Sequence, residues 1–254
     1  MLIKEILNDF ELDWSSMPYS DENQINKLKN KTILICGKNL ARCICYALLY
    51  QNENKKLNSK IILCNTDGVI YNKASECNNF DCISYDSFNE LSAIDYIIYT
   101  GICNEYSNNE INTFKSTVNE IGELAKVAEK SKAKTIIIND SRIYGNTVPN
   151  RIYSEGEYAN TEICSAHNLT EQTERVIENL WNSHSKQGEF ELITLRTGII
   201  LGAKSAIKTP LDTEFKHLAD DLDCLINPSR KKYSFISIHD VLNSVVFAMT
   251  KLKN

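Results

Sequence analysis

The chain has 254 residues, of which 43% are hydrophobic and 24% are charged, as in ordinary soluble globular proteins. This composition excludes disordered and fibrous classes. The 28 basic and 33 acidic side chains give a net charge of −5, which provides no general attraction to nucleic acid or to an anionic membrane. We therefore expect neither nucleic acid nor a membrane as a partner.

Two features favour a cytoplasmic location. No apolar run approaches the ~18 residues of a membrane span, and the charged segment 1–9 lacks the apolar core of a signal peptide. The nine cysteines are an odd number, and the closest pair, Cys43 and Cys45, lacks the spacing of a metal finger. We expect reduced, mostly buried thiols and no metal site.

Short β-branched runs alternate with longer helical patterns along the chain. Three helical stretches lie at about Leu40–Tyr50, Asn108–Lys130 and Thr161–Ser183, with apolar residues at three- and four-residue steps. Repeated strand, helix, strand order predicts an α/β fold, a doubly wound parallel sheet with helices on both faces. The predicted strands are Thr32–Ile35, Lys60–Cys64, Cys82–Tyr85, Asp95–Tyr99, Thr135–Ile138 and Leu192–Leu195.

The two ends of the chain lie outside this alternation. Residues 1–30 are predicted to form an N-terminal helical extension, with one or two short helices around Pro18. Residues 31–254 form the predicted Rossmann-like domain, in which about 203–254 supply small cap elements. Asp240 is predicted to cap a last helix that ends near Lys251.

A doubly wound sheet binds its ligand near the first strand–helix turn. A dinucleotide site needs glycines there for a tight turn, for close approach of backbone to pyrophosphate and for helix–strand packing. Gly37 is the one glycine of this turn, and Lys38, Asn39, Leu40 and Ala41 follow it. Ala41 can serve the packing role, but the middle glycine has no counterpart. We expect the loop to be short or blocked by side chains.

Five segments in chain order carry a resemblance to a known family. They are Lys31–Gly37, Asp95–Gly101, Ile137–Gly145, Leu195–Gly202 and Tyr233–Val241. Together they resemble the extended short-chain dehydrogenases, the NAD-dependent epimerases and dehydratases that act on nucleotide sugars. The resemblance implies strand order 3-2-1-4-5-6, a reduced C-terminal substrate cap and NAD or NADP as the cofactor. The cofactor-binding positions that it implies are Gly37, Asn39, Leu40, Asp67, Thr100 and Gly101.

The resemblance also implies a catalytic tyrosine, a lysine four residues later and an orienting serine or threonine. Cys164 stands at the tyrosine position and Asn168 at the lysine position. Asp140 stands at the serine position, with Ser141 beside it. Cysteine with asparagine does not rebuild a general acid–base pair in which the lysine lowers the pKa of the tyrosine. We therefore predict that none of the family's catalytic groups is intact.

Other positions of the nucleotide site differ as well. Asn65 stands where NAD enzymes place a ribose-binding carboxylate, although Asp67 could reach the ribose. Tyr233 stands at the position of a phosphate-binding arginine, and the sequence ends one helix later. These differences and the turn after Gly37 predict weak or absent dinucleotide binding.

Two functional hypotheses follow. The favoured one is a degenerate homologue of nucleotide-sugar epimerases and dehydratases that acts as a binding or partner subunit. The alternative is an active NAD(P)-dependent epimerase, dehydratase or reductase with replaced catalytic residues. In either case a nucleotide-sugar-like ligand is expected. The resemblance implies a homodimer through the helices near 108–130 and 161–183, with Phe114, Ile121 and Leu169 as contacts, or a hetero-pair with an intact paralogue.

Three further residue patterns leave alternatives open. Cys164 and His167 share a helix face and could form a nucleophilic pair, but a small residue beside a solvated histidine is the favoured interpretation. His239 and Asp240 are adjacent on a helix and point apart, so they do not form a dyad. Arg196 either contacts a ligand phosphate or pairs with an acidic neighbour, and the sequence favours neither.

Overall fold

The computed structural model describes residues 22–65, 77, 79–102, 109–145, 148, 151–157, 169–202 and 234–251. Short 3₁₀ helices span Tyr85–Glu90 and Ser141–Tyr144. The α-helices are α1 (Glu22–Asn26), α2 (Asn39–Asn54), α3 (Glu110–Ser131), α4 (Leu169–Gly188) and α5 (Ile238–Thr250). The strands are β1 (Thr32–Gly37), β2 (Lys60–Asn65), β3 (Phe80–Ile83), β4 (Tyr96–Gly101), β5 (Lys134–Asp140), β6 (Leu192–Thr197), β7 (Ile199–Leu201) and β8 (Phe235–Ser237).

Strands β1 to β6 form one sheet in the order β3-β2-β1-β4-β5-β6, and every neighbouring pair is parallel. Strands β7 and β8 pair with each other in a separate two-stranded sheet. The sheet order reverses between β1 and β4, as in doubly wound folds. The predicted fold class and strand order are confirmed.

Alternate residues along each strand belong to two separate hydrophobic cores, one on each face of the sheet. Ile33, Ile35 and Ile98 pack against α1, α2 and α5 on one face of the sheet. Leu34 and Tyr99 pack against α3 and α4 on the other face. Both faces are therefore covered, which explains why the strands read as continuous apolar runs.

Helix α4 contributes the largest side chain of the second core. Trp181 is fully buried, and its ring lies 5.6 Å from that of Tyr99 and 6.3 Å from that of Phe190, centroid to centroid. The helix thereby covers β4 and β5 on this face of the sheet. It begins at Leu169 among the described residues, and the predicted part from Thr161 to Asn168 lies outside them.

Two predictions about individual residues are wrong. Ile121 has no exposed surface and lies in the core between α3 and the sheet, so it does not contact a second subunit. The N-cap of α5 is Ser237, whose hydroxyl accepts a hydrogen bond from the His239 amide at 3.2 Å. Asp240 lies inside the first turn, beyond the position where a side chain caps the helix.

The described thiols are free and almost all buried. Cys36, Cys43, Cys45, Cys64 and Cys77 are buried, and Cys82 is half-buried. Burial raises the pKa of Cys43 to about 12. No helix in the described part of the chain has the length and apolar character to cross a membrane.

Candidate functional site

The crevice between β1 and β4 is built from close backbone packing. Gly37 has a φ of +137°, and a Cβ placed on it would lie 2.0 Å from the Thr100 Oγ1 atom. Only glycine fits this position, because a side chain would need both a rare backbone conformation and space that Thr100 fills. Thr100 is itself buried, and its hydroxyl donates to the Cys36 carbonyl at 3.5 Å.

The turn after Gly37 is short. Lys38 alone separates β1 from α2, and its side chain makes no capping hydrogen bond. Leu40 and Ala41 are buried in the core, with the Ala41 Cβ 3.4 Å from the place where a Gly37 Cβ would lie. Ala41 therefore fills the space beside Gly37, as the sequence predicted for the packing role.

The start of α2 carries positive charge. The Arg42 guanidinium donates to the Asn39 side chain, which holds both groups at the first turn. Together with Lys38, Arg42 adds to the partial positive charge of a helix N-terminus. A phosphate group would fit this environment, because backbone amides at a helix start favour anions.

Helix α3 brings a carboxyl group close to the same crevice. Burial raises the pKa of Glu120 to about 7, while the Tyr85 hydroxyl and the Lys38 charge act in the opposite direction. Near neutral pH this group is therefore divided between its neutral and charged forms. The sequence pattern did not reveal Glu120, which lies in an amphipathic helix among other acidic residues.

The end of β5 holds a buried ion pair. Asp140 is 5% exposed, and its Oδ1 atom accepts from the Arg142 amide at 2.9 Å and from the Ser141 hydroxyl at 3.5 Å. Its Oδ2 atom lies 3.2 Å from the Arg142 Nε atom. Arg142 also donates to the Ile102 carbonyl at 3.1 Å, which joins the end of β5 to the end of β4.

A second carboxyl group is fully enclosed beside this pair. Glu174 has no exposed surface, and its Oε1 atom lies 3.4 Å from the Arg142 Nη2 atom. Burial raises the pKa of Glu174 to about 8, aided by Asp140 and Glu178, while the Arg142 charge lowers it. Glu174 is therefore mostly protonated at neutral pH. Its Oε2 atom finds no hydrogen-bond partner among the described residues.

Arg196 on β6 forms the third part of this charged network. Its Nε and Nη2 atoms donate to the two Glu178 carboxylate oxygens at 2.8 and 2.7 Å. Its Nη1 atom donates to the Tyr144 hydroxyl at 3.1 Å and to the Glu155 carbonyl at 2.6 Å. The hydrogen bonds to Glu178 and Tyr144 raise the pKa of Arg196 further. Of the two interpretations left open by the sequence, the structure shows pairing with an acidic neighbour.

Two cavities adjoin the network on the outer side of β6. One has a volume of about 480 Å³ and lies between α4, β6 and α5. The other has a volume of about 430 Å³ and lies over Ile143, Arg175 and Asn179. Both are lined by Glu178, Asn182 and Arg196, so the Arg196–Glu178 pair borders both cavities.

The predicted site residues fall into two groups. Gly37, Asn39, Leu40, Thr100 and Gly101 lie together around the ends of β1 and β4. Asp140 and Ser141 lie at the end of β5, at the edge of the sheet where the first group also lies. Asp67, Cys164 and Asn168 lie outside the described residues.

Sequence reasoning missed Glu174, Glu178 and Arg142, which belong to the charged network around Asp140 and Arg196. Glu174 and Glu178 are one turn apart on α4, on a helix face that also carries the buried Ile177 and Trp181. Acidic residues at an i, i+4 spacing within an apolar face would have signalled buried carboxylates. Arg142 gave no comparable signal, because it follows a strand in a polar turn.

Comparisons with known proteins identify the fold. The search of solved structures finds the ADP-L-glycero-D-manno-heptose-6-epimerase of Helicobacter pylori with a TM-score of 0.68 and 17% identity, covering 92% of this chain and 76% of that one. The UDP-glucuronic acid 4-epimerase of Bacillus cereus, in complex with UDP-glucuronic acid and NAD, matches with a TM-score of 0.67 and 16% identity, covering 87% and 74%.

A dehydratase shows the same similarity. DesIV, a dTDP-glucose 4,6-dehydratase of Streptomyces venezuelae with NAD bound, matches with a TM-score of 0.68 and 10% identity, covering 86% of this chain and 71% of that one. No protein-family model and no curated protein matches the sequence. The chain thus has the fold of NAD-dependent nucleotide-sugar epimerases and dehydratases.

Proposed function

We propose that the protein is a degenerate homologue of nucleotide-sugar epimerases and dehydratases that acts as a binding or partner subunit in the cytoplasm. The observation that carries this proposal is the ion pair at the end of β5. Asp140, which stands at the serine position by resemblance, is buried and contacts Arg142 through both carboxylate oxygens. A carboxylate held in this way is not available to orient a sugar hydroxyl.

The sequence supports the same proposal at the tyrosine and lysine positions. Cys164 and Asn168 occupy them, and no lysine lies between Lys134 and Lys186. A tyrosine needs a nearby cation to lower its pKa to a useful range. Four residues after Tyr153 the chain has Glu157 and not a lysine.

The described residues fit one part of a dinucleotide better than the rest. Gly37 and the first turn of α2 would hold a phosphate, and Lys38 and Arg42 would add positive charge. When bound, NAD would supply the hydride acceptor. The end of β2 carries Asn65 in place of a ribose-binding carboxylate. We therefore propose weak or absent binding of NAD and NADP, alongside a nucleotide-sugar-like ligand.

The glycine turn is also the one observation that favours the alternative function. Gly37 keeps the tight turn between β1 and α2, so an active enzyme with replaced catalytic groups would use the same turn. The two functions differ in cofactor content. Purified protein that releases no NAD(H) on denaturation supports the binding subunit, whereas one equivalent per chain supports the enzyme.

Catalysis itself is tested with the substrates of the structural neighbours. The full chain is incubated with NAD and either UDP-glucuronic acid or dTDP-glucose, and the sugars are followed by proton NMR. We expect neither epimer nor dehydration product, because Cys164 and Asn168 replace the tyrosine and lysine that would carry the proton. Product formation that depends on added protein would contradict the proposal.

A subunit role requires an association surface, and we propose α3 and α4 as that surface. The two helices pack side by side on one face of the sheet. Ile111 on α3 is 60% exposed, and Phe114 is half-buried on the same helix. Pairing this surface across a twofold axis would cover both side chains. Light scattering of a homodimer at tens of micromolar supports this; a monomer mass leaves only the hetero-pair with an intact paralogue.

A further inference from the structure

One guanidinium at the end of β5 contacts two buried carboxyl groups. The Arg142 Nε atom lies 3.2 Å from the Asp140 Oδ2 atom, and its Nη2 atom lies 3.4 Å from the Glu174 Oε1 atom. The same Nη2 atom donates to the Ile102 carbonyl at 3.1 Å. Arg142 therefore joins the ends of β4 and β5 to helix α4, and the position of its side chain depends on the charges of both carboxyl groups.

The two carboxyl groups differ in their other contacts. Asp140 also accepts from the Arg142 amide at 2.9 Å and from the Ser141 hydroxyl at 3.5 Å. Glu174 has no exposed surface, and its Oε2 atom has no hydrogen-bond partner within the described ranges. A buried charge without a partner is costly. An ionised Glu174 would therefore need the guanidinium more than Asp140 does.

Glu174 lies among groups from β4, β5, α4 and the 3₁₀ helix that follows β5. Burial raises its pKa to about 8, the Arg142 charge and the Asp140 amide lower the pKa, and the charges of Asp140 and Glu178 raise it. On β4, burial raises the pKa of the Tyr99 hydroxyl, and the Glu174 charge adds to that shift. Glu174 is therefore mostly neutral at neutral pH and becomes charged as the pH passes about 8.

Helix α4 is tied to β5 by bonds that do not involve Arg142. The Asn139 Nδ2 atom donates to the Glu174 backbone carbonyl at 3.0 Å and to the Glu178 Oε1 atom at 3.2 Å. Arg196 donates to both carboxylate oxygens of Glu178. These bonds hold the backbone at Glu174 in place whatever the charge of its side chain. A change of that charge therefore acts on the Arg142 side chain and not on the position of the helix.

We propose that Glu174 is a proton-dependent switch that determines whether Arg142 pairs with Asp140 or with Glu174. When Glu174 holds its proton, the Asp140 carboxylate alone balances the guanidinium, which is the arrangement in the structure. When Glu174 gives this proton to solvent, the Nη2–Oε1 distance shortens from 3.4 Å to roughly the 2.8 Å of a charge-assisted hydrogen bond. The Arg142 Nε atom then moves away from Asp140, which keeps its bonds to the Arg142 amide and the Ser141 hydroxyl.

The switch acts on the residue that carries the proposed function, and it rests on that proposal for the role of Asp140. Asp140 stands at the serine position by resemblance, and its contact with Arg142 keeps its carboxylate from orienting a sugar hydroxyl. Loss of the proton from Glu174 weakens this contact. The restraint on Asp140 is therefore strongest near neutral pH and decreases as the pH rises through about 8.

Carbon-13 and nitrogen-15 NMR of the full chain without a ligand tests the switch. The Glu174 Cδ, Asp140 Cγ and Arg142 Nε signals are followed from about pH 6 to about pH 10. We expect all three to change with one midpoint, at about pH 8. If Glu174 does not titrate in this range, or titrates while the Asp140 and Arg142 signals stay constant, the proposal is wrong. Such a failure leaves the proposed function intact, whereas turnover of a sugar contradicts the proposed function and leaves these titrations unchanged.

Three variants separate the switch from other groups that titrate in the same range. Glu174→Gln should abolish the changes at Asp140 and Arg142, whereas Glu157→Gln, which alters an exposed ion pair, should leave them as in the native chain. Asp140→Asn removes a charge that raises the pKa of Glu174, so the Glu174 midpoint should fall by about one pH unit, a tenfold change in proton affinity. An unchanged midpoint would contradict the proposal, and this variant decides if Glu174→Gln does not fold.

Discussion

The two ends of the site are built in different ways. At β1 and β4, the crevice depends on backbone packing, in which Gly37 lies against Thr100 and the short turn through Lys38 starts a helix. At β5 and β6, it depends on side-chain charges, with Asp140, Arg142 and Glu174 enclosed together. The glycine turn therefore restricts a single residue type at Gly37, whereas the charged end depends on several buried side chains that balance one another.

The charged end is balanced within itself. Asp140, Glu174 and Glu178 face two guanidinium groups, those of Arg142 and Arg196. The raised pKa of Glu174, about 8, removes one negative charge at neutral pH and leaves two carboxylates with two guanidiniums. Because the charges of this network pair with one another, few of its polar groups are available to bind a substrate.

Removing Arg142 should have the largest effect on stability. Arg142→Ala leaves Asp140 and Glu174 buried without a cation, which should lower the free energy of unfolding by about 3 kcal/mol. Urea denaturation at pH 7 measures the loss. The control is Arg151→Ala, which breaks an exposed pair with Glu157 and should cost far less, because solvent screens an exposed pair. Equal losses for the two variants would show that the charged end is not a structural network.

A methyl group at Gly37 tests the backbone-built end. Gly37→Ala places a Cβ 2.0 Å from the Thr100 Oγ1 atom at a φ of +137°, and should cost about 2 kcal/mol. At Gly122 on α3 a Cβ would meet no neighbouring atom within 4 Å, so Gly122→Ala should stabilise the helix by about 0.5–1 kcal/mol. Thermal unfolding of both variants gives the comparison. A Gly37→Ala variant as stable as Gly122→Ala would refute the close packing.

The stability of the charged end should depend on pH through Glu174. Folding raises its pKa from an ordinary value near 4.5 to about 8. Between pH values near 4.5 and 8, the folded state therefore holds a proton that the unfolded state has lost. Stability therefore falls as the pH rises through this window, by at most about 1.4 kcal/mol per pH unit. Glu174→Gln keeps the neutral form and should gain stability relative to the native chain from about pH 5 to about pH 8.

Urea denaturation at several pH values across this window measures that gain. Glu157 is the matched control, since its hydrogen bonds to Ser154 and Arg151 lower its pKa and its charge is constant throughout the window. Glu157→Gln should shift stability by the same amount at every pH in the window. A flat difference for Glu174→Gln would mean that Glu174 is ionised in the folded protein.

The smallest effect is expected at Cys164. If this position has no chemical role, Cys164→Ala leaves folding and ligand binding unchanged. Glu155, Glu157 and Glu162 precede it and would raise a thiol pKa, although a helix start would lower it. We expect alkylation by iodoacetamide at neutral pH to be no faster than for an unperturbed thiol. A much faster rate that His167→Ala abolishes would contradict the non-catalytic hypothesis.

The fold was more predictable from the sequence than the site. Continuous apolar runs such as Ile136–Ile138 identify strands covered on both faces, and their alternation with helices determines the topology. The turn at Gly37 was predictable because few residue types other than glycine adopt a positive φ such as its +137°. The Arg142–Glu174 pair joins residues far apart in the chain, which no local pattern reveals. Ile121 and Asp240 were misassigned because periodicity does not tell which apolar face meets the core, nor which polar residue caps the helix.

Calorimetric titration of the full chain with NAD and with NADP decides between a degenerate subunit and an active enzyme. The crevice keeps the backbone turn at Gly37, whereas the sequence has Asn65, Cys164 and Asn168 at the positions that the resemblance aligns with the family's ribose-binding carboxylate, tyrosine and lysine. We predict a dissociation constant above about 1 mM for both cofactors, which corresponds to a binding free energy weaker than about −4 kcal/mol. Micromolar affinity for either cofactor would contradict the degenerate-homologue proposal and favour an active enzyme.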